Sequence, residues 1–505
     1  MDSDSDTVGI INSISVDNDN EFREESLGSP SNSGGSQSGE EEKVCSRSRF
    51  LEPIVFLICF AFNLNGTVFK NQILYETCRV AYNRSDEDCT PFMGIAPETE
   101  ESKSLEMLVQ PYAANIFMTN TLIESIVSSV LVLFIGPWSD KFGRKPILLG
   151  IFSGYLVAYS LVTLLSMMSL KFPINPWFYL SMFIPISLTG GFCALITITY
   201  CYISDVVKDE KSRARRMLLL EISIFGGISL GSLTCSFIYE ATNGITIFAI
   251  STFIVLIALL GILFILPESL SEVSGGSKAS KMSEFFRWEL ARDLLRTVFE
   301  RRPNYDRAII WLIMVSIGLA VAAMQGDSNL SYLYLREMFE WDLKEYNIYV
   351  TISIVYQVFF SFIAIVAFRK SLKMSLAAMC LLAYGSGFME SLIKGLAQYS
   401  WQVYLGVGFG MFKGIGGPMC RAIISQVSSP SDLGKIFAFT TSLETIFPLA
   451  TAPLYTYLYN TTLGYMPGAF NLLSASFNLI GYIFTAIIFG IQIVYPTVTY
   501  DVIGA

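Results

Sequence analysis

Long runs of apolar residues, separated by short polar segments, fill the chain from residue 51 almost to its C-terminal end. Each run has about 20 residues or more, the length that an α-helix needs to cross the hydrocarbon core of a bilayer. The pattern predicts an all-α membrane protein with twelve transmembrane helices in two halves of six. The predicted spans are 51–73, 112–136, 146–168, 176–206, 214–240, 244–266, 307–326, 347–367, 373–395, 401–427, 433–459 and 467–495.

Polar segments divide these spans into larger units. Residues 1–42 are rich in Asp, Glu, Ser, Gly and Asn, so we expect a disordered cytosolic tail there. Between the sixth and seventh spans, residues 283–302 carry apolar side chains at helical spacing among arginines, which predicts an amphipathic helix on the membrane surface. The predicted units are an acidic tail (1–50), an N-terminal six-helix bundle (51–266), a cytosolic linker (267–306), a C-terminal six-helix bundle (307–495) and a cytosolic tail (496–505).

Composition supports a membrane protein and argues against several other classes. Of the 505 residues, 52% are hydrophobic and 15% are charged, and much of the net charge of −9 lies in the acidic tail. Histidine is absent, which removes imidazole metal sites and imidazole proton relays. The sequence has no nucleotide-binding loop, metal-ligand cluster or nucleophile constellation. We therefore expect no enzyme activity, no metal or cofactor and no nucleic-acid partner.

Charged loops predict the orientation in the membrane. Basic residues cluster after spans two, four and eight, and the loops on the other side carry few, so both termini should be cytosolic. The acceptor sequons at Asn83, Asn329 and Asn460 then all fall on the non-cytosolic side, where we expect glycosylation. Cys78 and Cys89 share the long loop after the first span. A disulfide between them fits an oxidising exterior or lumen, and two unpaired thiols remain the alternative.

The segment after span two carries the most specific motif. It reads G-P-W-S-D-K-F-G-R-K at 136–145, and it matches the signature G-x-x-x-D-[RK]-x-G-R-[RK] of the major facilitator superfamily at every fixed position, ending on Lys145. Gly136 and Gly143 permit a tight loop and close helix approach. The resemblance implies a major facilitator fold that works by alternating access.

Three charged residues predict a conformational latch at this motif. Asp140 can lie at the N-terminus of a neighbouring helix, and Arg144 offers a forked donor to a carboxylate. Asp205, at the cytosolic end of span four, is the nearest candidate partner. Such a latch can form in one conformation and break in the other.

Four further runs resemble a narrower family. They are E-P-I-V-F-L at 52–57, Y-I-S-D-V at 202–206, R-R-M-L-L-L-E at 215–221 and R-A-I-I-S at 421–425. These runs look like the proton-coupled folate transporter family, whose relatives carry steroid conjugates, bile acids and bacterial cell-wall fragments. The resemblance covers roughly residues 50–495.

The resemblance also implies roles for two residues. By position in those runs, Glu221 resembles the family's fifth-span glutamate tied to proton coupling, and Arg421 its tenth-span arginine tied to substrate handling. The folate members use histidines in coupling and bridge their first loop to the loop after span seven. This chain has no histidine, and residues 327–346 contain no cysteine. If protons are coupled, carboxylates alone must carry them.

Five charged residues fall inside predicted spans, where a charge costs about 2.5–3.5 kcal/mol on insertion scales and usually faces a cavity or a partner. They are Glu124, Glu221, Lys413, Arg421 and Glu444. We expect the glutamates to serve proton coupling, and Arg421 and Lys413 to bind substrate. Static internal ion pairs are the alternative for all five, with Glu221 paired to Arg421.

The leading hypothesis is a secondary active transporter, a proton-coupled symporter of a small organic anion of the folate-like, steroid-conjugate or peptidoglycan-fragment class. A facilitative uniporter without proton coupling and a non-transporting membrane receptor or scaffold are the alternatives. The expected partners are the organic anion, protons and the lipid bilayer. We expect a monomer with many membrane passes, in the plasma membrane or an endolysosomal membrane.

Overall fold

A computed structural model describes most of the membrane region. The described residues are 47–94, 100–207, 209–269, 292, 296–300, 305–428 and 430–494. Residues 1–46 of the predicted acidic tail, most of the predicted linker with its amphipathic helix, and the predicted C-terminal tail lie outside this part. The predicted disorder and surface helix therefore stay predictions.

The first half contains six membrane helices. Their bounds are α1 Leu51–Glu76, which a π-helical turn extends over Thr77–Ala81; α2 Glu100–Phe142; α3 Lys145–Ser169; α4 in two pieces, Phe183–Leu188 and Gly191–Val206, after a 3-10 turn at Pro176–Met182; α5 Glu210–Ala241; and α6 Gly244–Phe264. Two short turns, Asp86–Cys89 and Thr90–Met93, fill the connection between α1 and α2.

The second half also contains six. Their bounds are α7 Asp306–Phe339; α8 Leu343–Ala364, which a π-helical turn extends over Ile365–Ser371; α9 Leu376–Gly395; α10 in three pieces, Ser400–Phe409, the 3-10 segment Gly410–Ile415 and Gly416–Val427; α11 Pro430–Thr462; and α12 Ala469–Val494. Within each half the helices pack closely, for example α1 on α5 and α6, and α12 on α7 and α9.

Ten of the described segments are helices long and apolar enough to cross a membrane. The other two predicted spans correspond to α10 and α11. The 3-10 segment interrupts α10, in a stretch where four glycines between 410 and 417 weaken the α-helix. Helix α11 is continuous and contains Pro448 and Pro453. The predicted twelve-helix division into six and six agrees with these helices.

Two helices extend well beyond their predicted spans. Helix α2 has 43 residues and α7 has 34, whereas the sequence predicts spans at 112–136 and 307–326. The extra turns contain polar residues that the sequence pattern places in loops. In the turns before residue 112 of α2 and after residue 326 of α7, Glu106, Gln110 and Arg336 are bound across the two halves. The helices continue there through polar sequence because protein, rather than water, satisfies these side chains.

The two ends of the helix bundle differ, and we name them by their landmarks. The motif face carries the turn between α2 and α3 at residues 142–145, and the disulfide face carries Cys78 and Cys89. At the disulfide face the apolar core is continuous between the halves, because side chains such as Leu330, Tyr332 and Tyr459 join the cluster formed by α1 to α6. At the motif end, a second cluster consists of side chains from residue 298 onward alone. The protein is therefore closed at the disulfide face.

A buried ion pair joins the halves there. Arg336 in α7 and Glu106 in α2 lie 2.6 Å apart, and their side chains are 2% and 5% exposed. Gln110 donates to the Glu106 carboxylate and to the carbonyl of Leu333, and it accepts from the hydroxyl of Tyr459. Every polar group in this network has a partner, which is the condition under which a buried charge pair is tolerated.

Other cross-half contacts of the described side chains surround this pair. They link Thr67 with Asn347, Lys70 with Ser328, Asn71 with Tyr332, Lys103 with Glu340, Thr121 with Asn329, Ser236 with Asn347 and Glu240 with Lys344. All join helix segments at or near the disulfide face. The polar layer therefore fixes which residues meet when the two halves close.

The loop after α1 is part of the same closure. Cys78 and Cys89 form a disulfide with their Cα atoms 5.7 Å apart. The turn that follows Cys89 presents the carbonyl of Pro91 to the Arg336 guanidinium at 3.0 Å, and Arg336 also lies 5.6 Å from the centre of the Phe92 ring. The disulfide thus anchors a turn that receives a charged side chain from the opposite half.

The three sequons lie in different environments. Asn83 is exposed in the disulfide-face loop. Asn329 lies within α7, where its amide donates to the Thr121 hydroxyl at 2.8 Å. Asn460 lies in the last turn of α11 and donates to Asn115 at 3.4 Å. Glycosylation at Asn329 is incompatible with this position, because α7 does not end at residue 326 and the amide is inside the protein. The sequon therefore gives no support to the predicted orientation.

We predict that Arg336→Ala opens the disulfide face, because removing one partner from a buried ion pair costs about 3–5 kcal/mol. A cysteine introduced at the cavity residue Ser328 should then react faster with a membrane-impermeant maleimide added at that face. Lys344→Ala is the matched control, because its pair with Glu240 is 40% and 52% exposed. Equal reaction rates in both variants and the parent would contradict a gating role for Arg336.

We also predict that Asn83 carries glycan and that Asn329 does not. Asn83→Gln should increase gel mobility and abolish the shift produced by glycosidase treatment. Asn329→Gln should leave both unchanged, since its side chain lies inside the helix bundle. A glycosidase-sensitive band that persists in Asn83→Gln would place the glycan elsewhere.

Candidate functional site: the central cavities

The predicted motif forms a helix end rather than a loop. Helix α2 continues through Gly136 and Asp140 to Phe142, so only Gly143 and Arg144 separate it from α3. Gly143 ends the helix with φ of +102°, a backbone conformation that side chains other than glycine rarely adopt. A Cβ atom at Gly143 would also lie 2.5 Å from the Glu268 carboxylate. The backbone conformation therefore favours glycine here, and a Cβ atom would also displace the Glu268 carboxylate.

Arg144 lies at the centre of a carboxylate cluster. Its Nε donates to Asp205 at 2.9 Å, and its guanidinium also bonds the Ser139 hydroxyl. Glu268 accepts the backbone N–H of Arg144 at 2.8 Å and that of Lys145 at 3.2 Å, at the N-terminus of α3. A carboxylate is favourable at that position because it satisfies unpaired N–H groups and meets the positive end of the helix dipole. The structure thus brings Arg144 and Asp205 together.

Lys145 and Asp140 are the other charged residues of the predicted latch. Lys145 donates its ammonium to the carbonyl of Leu263 at 3.0 Å, which ties the start of α3 to the end of α6. The side chain of Asp140 lies outside the described residues, and its predicted place at a helix N-terminus stays a prediction. The helix N-terminus beside it, that of α3, is occupied by Glu268, which the sequence pattern did not single out.

A central cavity of about 240 Å³ lies between the halves. Helices α1 to α5 form one wall, and α7 and α8 form the other. Its polar lining includes Asn65, Lys70, Asn120, Glu124 and Gln325. Glu124 therefore faces a cavity, as expected for a charge within a membrane span.

A second cavity of about 210 Å³ lies within the second half and is bounded by α7 to α10 and α12. Its lining includes Asp327, Lys413 and Arg421. Arg421 is bound to Glu444 of α11 through two contacts, 2.7 Å and 2.9 Å, from one guanidinium nitrogen to both carboxylate oxygens. The Arg421 side chain is 44% exposed, whereas Glu444 is 14% exposed. The arginine is therefore accessible while its counter-ion is enclosed.

Lys413 belongs to a three-membered ion cluster. Glu390 binds Lys394 through one carboxylate oxygen at 2.5 Å and Lys413 through the other at 2.9 Å. Glu390 and Lys394 are four residues apart on α9, and Lys413 comes from the 3-10 segment of α10. The cluster holds the interrupted part of α10 against α9, and it leaves one positive charge in excess of Glu390.

Glu221 does not pair with Arg421. Its carboxylate accepts a hydrogen bond from the Tyr200 hydroxyl, which links α5 to α4. The two residues that the resemblance singles out thus have separate partners, Tyr200 for Glu221 and Glu444 for Arg421. Of the five predicted charges, the structure joins Arg421 with Glu444, and it places Glu124 in the other cavity.

Sequence reasoning missed two charged cavity residues, Lys70 and Asp327. Asp327 falls one residue beyond the predicted end of span seven, which places it in a predicted loop. In the structure it lines the second cavity and accepts a hydrogen bond from Ser474 at 2.7 Å. Lys70 was visible as a lysine within span one, and that position within an apolar run was the signal that could have identified it.

Comparison with known proteins now assigns the family. The family model described as Major Facilitator Superfamily matches residues 54–452. The chain belongs to the major facilitator superfamily. Among solved structures, a D-xylose–proton symporter superimposes with a TM-score of 0.62 at 14% sequence identity, over 87% of this chain and 96% of the symporter. That similarity concerns the fold alone.

Two curated relatives narrow the family. The chain is 31% identical to the probable peptidoglycan muropeptide transporter SLC46 of Drosophila melanogaster, over 88% of this chain and 84% of that protein. It is 23% identical to the proton-coupled folate transporter of Rattus norvegicus, over 83% of this chain and 87% of that protein. The chain is thus a membrane transporter of the solute-carrier family that includes the folate transporter, and not an enzyme. The family resemblance in the sequence is confirmed.

We predict that Gly143→Ala destabilises the protein by about 1–3 kcal/mol, because alanine would be held in a left-handed conformation and its Cβ would displace Glu268. The thermal unfolding midpoint in detergent should fall, and turnover should slow. Gly150→Ala, on α3, is the matched control because a Cβ there meets nothing within 4 Å. An equal unfolding midpoint for the two variants would show that the tight approach at residue 143 is not needed.

Proposed function

We propose that the protein is a proton-coupled symporter of a small organic anion, with Arg421 and Lys413 binding the negative charge of the substrate. The supporting observation is that each of these cavity cations is bound to a carboxylate, Glu444 for Arg421 and Glu390 for Lys413. A substrate anion must compete with that carboxylate. For Arg421, protonation of Glu444 would remove the competitor and so link substrate binding to protons.

The coupling role belongs to the three predicted glutamates in this proposal, with different geometric support for each. Glu444 has the most direct support, because both of its oxygens hold the accessible Arg421. Glu221 is hydrogen-bonded to Tyr200, and Glu124 lines the central cavity. The resemblance favours Glu221, and the contacts of Arg421 favour Glu444. The relatives, one a probable peptidoglycan muropeptide transporter and one a proton-coupled folate transporter, support the substrate and ion classes.

The proposed cycle uses the two faces in turn. In the described conformation the disulfide face is closed, so substrate exchanges at the motif face, which we place on the cytosolic side with both termini. Opening the disulfide face requires the Glu106–Arg336 pair to separate. Exchange between these states alternates access to the cavities. The membrane is the plasma membrane or an endolysosomal membrane, and the protein works as a monomer.

We predict that Glu444→Gln uncouples transport. The neutral amide mimics a protonated carboxyl, so the variant should bind substrate and perform counterflow but should not accumulate substrate in response to a pH gradient. Arg421→Ala should weaken binding of anionic substrates by about tenfold or more, which corresponds to about 1.4 kcal/mol or more. The measurement is paired uptake and counterflow in proteoliposomes, with a folate, a conjugated steroid and a muramyl dipeptide as substrates.

Glu221→Gln is the matched comparison, because it removes the same charge at a carboxylate that does not touch Arg421. If Glu221→Gln alone abolishes pH-driven accumulation, coupling resides on α5 and not on α11. If the parent protein equilibrates substrate and never concentrates it under any pH gradient, the protein is a uniporter. Absence of flux for all three substrate classes would count against this substrate assignment.

A further inference from the structure

The central cavity contains two opposite charges that are not paired with each other. Lys70 of α1 and Glu124 of α2 both line it. The Lys70 ammonium donates to the backbone carbonyl of Ser328 at 2.6 Å. Within the described part of the chain, neither residue forms an ion pair, and Glu124 makes no hydrogen bond.

Several other enclosed carboxylates of the described chain have a cation as partner. Glu106 is paired with Arg336, and Glu52 with Arg216. Glu390 holds two lysines. Because an unpaired charge at membrane depth is costly, an unpaired cation and an unpaired anion that share one cavity are expected to meet their partners on a ligand.

We propose that the central cavity binds a zwitterionic, amino-acid-like end of the solute, with its carboxylate at Lys70 and its ammonium at Glu124. This inference rests on the proposed function, since it specifies the chemistry of the transported solute. It adds a recognition site for a positively charged group, which an anion site at Arg421 and Lys413 does not provide.

Residues that line the cavity also include neutral amides without hydrogen-bond partners. Asn65 is 2% exposed, and neither atom of its amide has a hydrogen-bond partner among the described residues. The amide oxygen of Asn120 also has no hydrogen-bond partner among the described residues. Buried amides without partners are rare because each costs free energy. These amide atoms are enclosed by protein, so a peptide or amino-acid ligand would meet them only if the two side chains turned toward the cavity.

The size of the cavity limits what it can hold. Its volume of about 240 Å³ lies below the roughly 300–1,000 Å³ of pockets that enclose a drug-sized ligand. The cavity therefore accommodates one amino-acid-sized end, and the rest of a larger solute must extend out of it. This favours solutes whose two charges lie close together at one end.

Binding there would also act on the closed face. Lys70 joins the two halves through the carbonyl of Ser328 on α7. A solute carboxylate that takes the ammonium of Lys70 would remove this cross-half contact. Recognition of the negative end of the solute and loosening of the disulfide face would then be the same event.

The test uses three matched probes and no ion gradient. They are a muramyl tripeptide ending in lysine, the same peptide acetylated on the lysine amine, and the same peptide amidated at its C-terminal carboxyl. Binding to the purified full chain is measured by calorimetry. We expect acetylation and amidation of the peptide each to weaken its binding to the unmutated protein at least about tenfold, or about 1.4 kcal/mol.

Two variants assign the two ends. The Glu124→Gln variant should bind the unmodified peptide and the acetylated peptide equally, and it should still bind the amidated peptide more weakly. Lys70→Met should show the reverse pattern. Lys344→Met is the control, because this lysine lies outside the cavity, and it should bind all three probes as the parent does. If Lys70→Met does not fold, the three probes on the parent and on Glu124→Gln still decide the result.

The proposal is overturned if the parent binds the three probes with equal affinity or binds none of them. It is also overturned if Glu124→Gln keeps its discrimination against the acetylated peptide. Because binding is measured without a gradient, a protein that discriminates the probes but does not accumulate substrate would refute the proton-coupled function and leave the zwitterion site standing. Proton-driven uptake of a folate, together with equal binding of the three peptide probes, would support the proton-coupled function and refute the zwitterion site.

Discussion

The ion pair between Glu106 and Arg336 determines the conformation in which the rest of the protein is seen. The two side chains are almost fully buried, and each comes from a different half. A buried pair contributes little net stability when it is intact, yet separating it leaves charges that the low-dielectric interior cannot solvate. Closure of the disulfide face is therefore a discrete state. Opening requires the charges to find water or new partners.

The neighbouring polar contacts depend on this pair. Gln110 is held by Glu106, and Tyr459 is held by Gln110, so residues from α2, α7 and α11 are positioned through one carboxylate. The turn after Cys89 accepts a hydrogen bond from the same arginine through the carbonyl of Pro91. The central cavity lies beneath this layer, which separates it from the disulfide face.

Charge balance in the second cavity follows a related principle. Glu390 binds two lysines, so its cluster carries one excess positive charge. Asp327 lines the same cavity and, within the described chain, has the Ser474 hydroxyl but no cation within 4.0 Å. The charges of Lys394, Lys413, Glu390 and Asp327 therefore sum to zero when all are ionised, and so do those of Arg421 and Glu444. An added anion changes this sum, which is the electrostatic reason for expecting proton binding to accompany substrate binding.

The sequence predicted the helices better than it predicted their partners. Apolar length identifies a span because the bilayer imposes it. Apolar length does not identify the helical turns that contain Glu106, Asp327 and Arg336. These turns are polar because their side chains bind other parts of the protein, and such a sequence looks like a loop. The forked donor of Arg144 and the position of Asp205 at the end of span four were enough to anticipate their contact. The pairing of Arg421 with Glu444 instead of Glu221 depends on how α10 and α11 pack, which no local pattern encodes.

Helix α7 forms a wall of both cavities. Gln325, Ser328 and Asn329 face the central cavity, whereas Met324 and Asp327 face the second one. A partition shared by two compartments couples their sizes: a sideways displacement of α7 that widens one compartment narrows the other. Because a close-packed interior transmits such displacements instead of absorbing them, we expect the two compartments to compete for space.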